Sequence, residues 1–307
     1  MQTTDTVLMI EPVAFGYNAQ TAANNYFQIE QRGRDIQEKA LQEFQGFVTK
    51  LQQKGIQVIT VKDTLHPHTP DSIFPNNWVS FHRDGNVVLY PMFAPNRRVE
   101  RRSDILDTLQ SHGFRINKVD DWSSHEKNEK FLEGTGSMIF DHDHKIAYGS
   151  VSLRLDEHLF KKFCEAYHFR PVIFHSFQNA NGERLPIYHT NVMMCVADRF
   201  VVICLDCIDN ELEREKVQET IKSTGKEIIE ISEDQLQQFA GNMLQVKNTT
   251  GEKFLIMSQT AYQSLKPTQV QAIEKHCEII SADLHTIETN GGGSARCMLA
   301  EVFLPKN

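Results

Sequence analysis

No stretch of the 307 residues approaches the roughly 18 consecutive uncharged apolar positions that a membrane-spanning helix needs. The opening residues, MQTTDTVLMIEP, carry neither a basic head nor an apolar stretch ending in small residues, so they do not read as an export leader. Cysteine is sparse: Cys164, Cys195, Cys204, Cys207, Cys277 and Cys297 mostly sit in apolar runs, unlike a secreted disulfide framework. These absences lead us to expect a non-exported, cytoplasmic chain. No Ser/Gly/Pro tract, low-complexity segment or run of five like charges marks a linker. Basic residues are also outnumbered, 32 Lys and Arg against 40 Asp and Glu for a net charge of −8, which argues against a nucleic-acid binder or an anionic-membrane binder. A small-molecule enzyme suits that balance. The length alone allows either two domains or one large α/β domain, and it is enough to bury a core without disulfide or metal staples.

What is present is a repeated alternation. Short apolar, β-branched runs at 7–10, 56–61, 86–90, 145–150, 171–174, 199–205, 253–257 and 277–280 read as strands. Between them, apolar residues three and four apart predict helices over 36–51, 105–109, 155–163, 212–221 and 270–273. The pattern is α/β with units of roughly 50 to 60 residues, but periodicity cannot distinguish a ring of small sheets from one open sheet.

Chemistry concentrates at a few strand boundaries. Near the C-terminus, Gly291-Gly292-Gly293-Ser294-Ala295-Arg296-Cys297 puts a thiol after a glycine loop and beside an arginine, where a thiolate nucleophile is possible. No Gly-Lys-Ser/Thr follows and no helical pattern opens there, so a phosphate cradle does not fit; a glycine turn ahead of a buried cysteine is the plain alternative. Pro186-Ile187-Tyr188-His189-Thr190-Asn191 places an imidazole where a polar loop becomes an apolar strand. If that segment is extended, His189 and Asn191 share one face. Phe74-Pro75-Asn76-Asn77-Trp78 and Leu132-Glu133-Gly134-Thr135-Gly136 are polar, constrained loops of the same kind. In the second, Glu133 could orient a histidine, and simple turns are the alternative for both.

Taken in chain order, FPNNW, LEGTG, GSVSLR, YHTN and GGGSARC resemble the landmarks of the guanidine-modifying, or pentein, superfamily. That superfamily includes arginine deiminase, dimethylarginine dimethylaminohydrolase, agmatine deiminase and the amidinotransferases. Within it the motifs resemble an amidinotransferase-like bacterial branch associated with citrulline utilisation. The resemblance implies one domain over residues 1–307, folded as a five-bladed α/β propeller of ββαβ units with pseudo-fivefold symmetry and an active site in its central channel. It implies Cys297 as nucleophile, His189 as general acid and base, and Glu133 as the glutamate of the family's Glu-Gly-Gly-Asp turn. It further implies Arg154, in Ser152-Leu153-Arg154, as the arginine that binds the substrate carboxylate, and either Arg97 or Arg98 as a second such residue. The plain reading of the basic run at 97–102 is a solvated helix start.

Two positions depart from the family pattern. Where arginine deiminase-like members place carboxylates around the guanidinium, this chain has Asn77 and Asn191. A carboxylate only accepts hydrogen bonds and suits an all-donor cation, whereas a carboxamide both donates and accepts and suits a neutral ureido group. We therefore expect hydrolysis of the ureido group of citrulline or a related N-carbamoyl amine, with Asn76, Asn77 and Asn191 around it and no metal or organic cofactor. The rivals are a guanidine deiminase or amidinotransferase that uses other carboxylates, such as Asp71 or Asp141, and a silent binding module. Cys204-Leu205-Asp206-Cys207 is only half a zinc site and reads as a strand end. Asp141-His142-Asp143-His144 reads as a solvated turn, and the polar, aromatic segment 11–25 as a candidate channel lining.

Overall fold

A computed structural model describes residues 1–31, 33 and 35–306. Its strands form five three-stranded mixed sheets and one hairpin among the described residues. Strand β1 (Thr6–Glu11) pairs in parallel with β2 (Gln57–Lys62). The next sheet runs β3 (Val79–Phe81), β4 (Asn86–Leu89), β5 (Lys118–Asp121), and the third β6 (Met138–Asp141), β7 (Ile146–Ser150), β8 (Arg170–Phe174). After a hairpin of β9 (Phe177–Ala180) and β10 (Glu183–Pro186), the fourth sheet is β11 (Met194–Val196), β12 (Phe200–Ile203), β13 (Glu227–Glu230). The fifth is β14 (Leu244–Lys247), β15 (Lys253–Ser258), β16 (Glu278–Ala282), and the last strand, β17 (Ala300–Glu301), returns to pair antiparallel with β1.

Every three-stranded sheet has one plan. A short first strand is antiparallel to the central strand, which a helix links to a parallel third strand. The linking helices are Ile36–Gln53, Ser103–Ser111, Glu157–Ala166, Glu211–Ser223 and Pro267–Glu274. Parallel pairing requires such a crossover, so the apolar spacing of the helices and the parallel register are one fact. Ile36–Gln53 buries Ala40, Phe44, Phe47 and Leu51, spaced four, three and four, and turns its charged face outward. Central strands such as β15 are buried almost throughout, which is why they read as continuous apolar runs rather than alternations.

Several strands escaped the sequence reading, among them β3, β5, β6, β13, β14, β17 and the β9–β10 hairpin. Strand β5, Lys118-Val119-Asp120-Asp121, is a charged edge strand with an exposed face. The hairpin β9–β10 turns at Asn181-Gly182, both with positive φ (54° and 78°), which is the Asn-Gly signal for a two-residue hairpin turn. Cys204-Leu205-Asp206-Cys207 leaves β12 and closes into a 3-10 turn over Leu205–Cys207, with both thiols buried.

Candidate active site

The short first strands approach one another, β17 with β3, β6 with β11, and β11 with β14. Each is entered through a tight turn: Pro75–Asn77 before β3, Gly134–Ser137 before β6, Thr190–Val192 before β11, the loop ending at Asn242 before β14, and Ala295–Met298 before β17. The turn at 75–77 packs on those at 134–137 and 295–298, and 134–137 packs on 190–192. Four of the five sequence motifs, FPNNW, LEGTG, YHTN and GGGSARC, therefore meet because each occupies the same place in its sheet.

One expectation about these turns needs correction. His189 is extended (φ −135°, ψ 139°), but Asn191 lies in the 3-10 turn that follows, so strand alternation does not bring the pair together. At the glycine loop no α-helix opens, as expected: the helix over His285–Gly291 ends there at Gly292, and Cys297 sits in the 3-10 turn that follows. Local propensity did not announce these turns because the packing between sheets imposes them.

Glu133 is buried, and its Oε2 contacts His189 Nε2 at 2.7 Å while its Oε1 accepts from the Phe93 amide at 2.8 Å. Burial alone would raise its pKa, but the Arg154 charge and the His189 contact hold it at about 2. An ionised Glu133 makes Nε2 the protonated nitrogen of His189 and leaves Nδ1 free. Burial lowers the His189 pKa to about 4, against the pull of Glu133, so the resting imidazole is neutral at neutral pH. A Cβ on Gly136 would lie 2.9 Å from His189 Nδ1 and 2.3 Å from Asn77 Nδ2, so the missing side chain lets both groups approach one point.

Cys297 is buried, and its Sγ accepts from Asn191 Nδ2 at 3.4 Å and Asn242 Nδ2 at 3.3 Å. Asn242 Oδ1 accepts from the Arg296 amide at 3.0 Å, which orients the carboxamide toward the thiol. The sequence reading missed Asn242. The available signal was positional: Asn242-Met243 precedes β14 as Asn77-Trp78 precedes β3.

Arg97 is fully buried rather than solvated, contrary to the plain reading of its basic run. It pairs with Glu100 at 2.9 Å through both Nε and Nη2, and Nη1 donates to Asn77 Oδ1 at 2.8 Å. Because arginine can only donate, Asn77 must accept with its oxygen and present its NH2 inward, where that nitrogen has no protein partner. Asn191 has the opposite polarity: its NH2 is on the thiol and its buried Oδ1 is unpaired. Asn76 is wholly buried with both side-chain polar atoms unpaired, as is Asp71 Oδ1. Arg98 instead donates to the Met92 and Phe93 carbonyls and stays partly exposed.

Arg154 is buried over the Tyr188 ring and reaches Glu133 at 3.4 Å. Its Nε and Nη2 both donate to Asn24 Oδ1, at 3.0 and 2.5 Å, so segment 18–25 covers it. Within that segment Asn18 donates to Asp71 Oδ2 at 2.8 Å, and Asn25 donates to the Gly292 carbonyl at 3.0 Å. Asp141 is not brought to this centre; it pairs with Lys226 and His144 at the far end of β6. Among the described residues no cluster of three or more His, Cys, Asp or Glu is arranged to hold a metal, and no helix is long and apolar enough to cross a membrane.

The family model described as N,N dimethylarginine dimethylhydrolase, eukaryotic, matches residues 11–304. No curated protein matches the chain. Among solved structures, ArgZ, an arginine dihydrolase from the ornithine-ammonia cycle in cyanobacteria, is similar at TM-score 0.74 and 16% identity, covering 98% of this chain and 41% of that one. The chain thus spans about two fifths of full-length ArgZ. The ArgZ N-terminal domain bound to substrate is similar at TM-score 0.72 and 17% identity, covering 97% and 99% of the two chains. A dimethylarginine dimethylaminohydrolase in adduct with S-methyl-L-thiocitrulline is similar at TM-score 0.65 and 13% identity, covering 98% and 100%.

Proposed function

The chain belongs to the N,N dimethylarginine dimethylhydrolase family of the guanidine-modifying superfamily, and from that premise we propose that it is a cysteine hydrolase of the ureido group of citrulline or a related N-carbamoyl amine. The observation that carries this reading is the polarity of Asn77. With its oxygen taken by Arg97, it offers the cavity an N–H donor, which complements a ureido carbonyl and opposes a guanidinium that donates from every edge. The unpaired Asn191 Oδ1 supplies the matching acceptor for a ureido NH2.

In this mechanism His189 Nδ1 takes the Cys297 proton, and the thiolate attacks the ureido carbon. The imidazolium, stabilised by Glu133, returns the proton to the departing amine, leaving an S-carbamoyl enzyme. His189 then activates water; addition to the thioester carbon frees the thiol and carbamate, which decomposes to ammonia and carbon dioxide. Arg154 is assigned to the substrate carboxylate, with Asn24 Oδ1 standing where a carboxylate oxygen would sit. The five repeated sheets, the first closed by β17, are read as the blades of a five-bladed propeller around this centre.

A second reading, with arginine as substrate, is favoured by Asp71, a buried carboxylate with one unpaired oxygen beside the site, and by the arginine dihydrolases among the similar structures. The test is ammonia and amine release by the purified protein from citrulline, arginine, agmatine and carbamoyl-β-alanine in parallel. Citrulline turnover supports the ureido reading, and turnover of arginine with citrulline inert overturns it.

A further inference from the structure

We propose that the protein carries a second binding site, for a small organic anion bearing a phosphate or carboxylate, in the cleft at the ends of β3 and β6 remote from the catalytic turns. The cleft has a volume of about 460 Å³, within the range of small-molecule sites, and shares no lining residue with the candidate active site. Strand β3 runs from Asn77 toward His82, and β6 from the Glu133 turn toward His142, so roughly 10–13 Å of strand separates the two sites.

The argument rests on which charges in the cleft are already satisfied. Its two lining carboxylates are occupied locally: Asp84 accepts from the Asn86 amide and side chain, and Asp120 from Trp122 Nε1 and the Tyr167 hydroxyl, with Lys118 at 3.4 Å. Arg83 and Lys145 also line the cleft; Arg83 Nη2 donates to the Met1 carbonyl at 2.8 Å and the guanidinium lies in the field of Asp143 and Glu301, but neither cation has a carboxylate within ion-pair distance among the described residues. Each instead lies over an aromatic ring, Arg83 over Phe303 at 4.6 Å and Lys145 over Phe169 at 4.9 Å. The His142 ring sits between those two rings, with centroids at 4.7 Å from Phe303 and 6.0 Å from Phe169. A row of aromatic rings therefore holds two cations that lack a carboxylate partner, with an imidazole in contact with the same rings, in a chain whose net charge is −8. Burial first, and the Arg83 and Lys145 charges beside it, keep His142 well below the ordinary histidine range. An anion in the cleft relieves that crowding, receives two charge-assisted hydrogen bonds, and has apolar ring faces for its organic part.

The test is calorimetric titration of the full chain, in a zwitterionic buffer, with adenosine monophosphate and with citrate. Saturable one-to-one binding of either is expected, with affinity falling about tenfold in Arg83→Gln or in Lys145→Gln and further in the double variant. Lys145→Arg, which keeps the charge, retains binding, and unchanged melting of each variant without ligand shows that the fold is intact. Binding of the nucleotide alone identifies a phosphate ester, binding of citrate alone a carboxylate, and binding of both a site selective for charge. No saturable binding of either, or affinity unchanged in the double variant, overturns the proposal. Because binding is read without turnover, the outcome is independent of the catalytic substrate.

Discussion

The turns before β3 and β11 occupy the same position in their sheets and each carries an asparagine, Asn77 third in its turn and Asn191 second, and the two present opposite ends to the cavity. At Asn77 the oxygen is claimed by Arg97 and the NH2 is free; at Asn191 the NH2 is on the Cys297 sulfur and the oxygen is free. The difference shows that recognition by a carboxamide is decided one layer out: at Asn77 by an arginine that can only donate, and at Asn191 by a thiol that accepts from its NH2 while donating toward Asn242 Oδ1 at 3.7 Å. One residue type thus yields a donor and an acceptor, the pair a ureido group needs and a guanidinium does not.

The comparison can be broken most severely through the base that serves both turns. Glu133→Gln removes the charge that holds the His189 tautomer, and kcat is expected to fall about 10³-fold in steady-state assays, with near-wild-type activity refuting the orienting role. Arg97→Met strips Asn77 of its orienting donor and leaves Glu100 buried without a cation. Denaturant titration is expected to show a loss of about 3–5 kcal/mol. Asn77→Asp replaces the inward donor with an acceptor, and the ratio of citrulline to arginine turnover is expected to drop about tenfold or more. An unchanged ratio in that variant and in Asn77→Asp with Asn191→Asp would show that these amides are not the clamp. Asn242→Ala removes one of the two donors on the sulfur. It is expected to cost about tenfold in kcat in steady-state assays, and an unchanged kcat would remove Asn242 from the site.

The smallest effect concerns pH. The acid limb of kcat/KM is expected nearer 4 than 6.5, since His189 must be neutral to accept the thiol proton. For stability, the lowered pKa values of His189 and His82 contribute above 6.5, and that contribution is lost as the pH falls toward 4; the lowered His142 acts in the same direction. Glu100, raised by burial to about 7, acts in the opposite sense: its contribution is present below 4.5 and lost as the pH rises through 7. Burial raises Asp71, Glu288 and Glu301 in the same way, so the raised carboxyls offset the lowered histidines over this range, and the acid limb of activity rather than the denaturation midpoint reports His189.

Legibility followed burial and locality. The five linking helices and the central strands were readable because each carries its own apolar period or run, as Phe44, Phe47 and Leu51 do in the first helix. The first strands β3, β14 and β17 are two to four residues long, too short for any period to register. Charged β5 was hidden by its exposed face, and the β9–β10 hairpin was signalled by Asn181-Gly182 but not read.

By itself the sequence determined that the chain alternates strands and helices, that a thiol, a histidine, a glutamate and two asparagines stand at strand entrances, and which superfamily those motifs resemble. Only the tertiary structure decided that Arg97 is buried against Glu100, that Asn242 reaches the thiol, and which end of each asparagine faces inward. The physical reason is range. Periodicity is set by neighbours along the chain, whereas the polarity of a carboxamide is set by one hydrogen-bond partner that lies 20 residues away for Asn77 and 106 for Asn191.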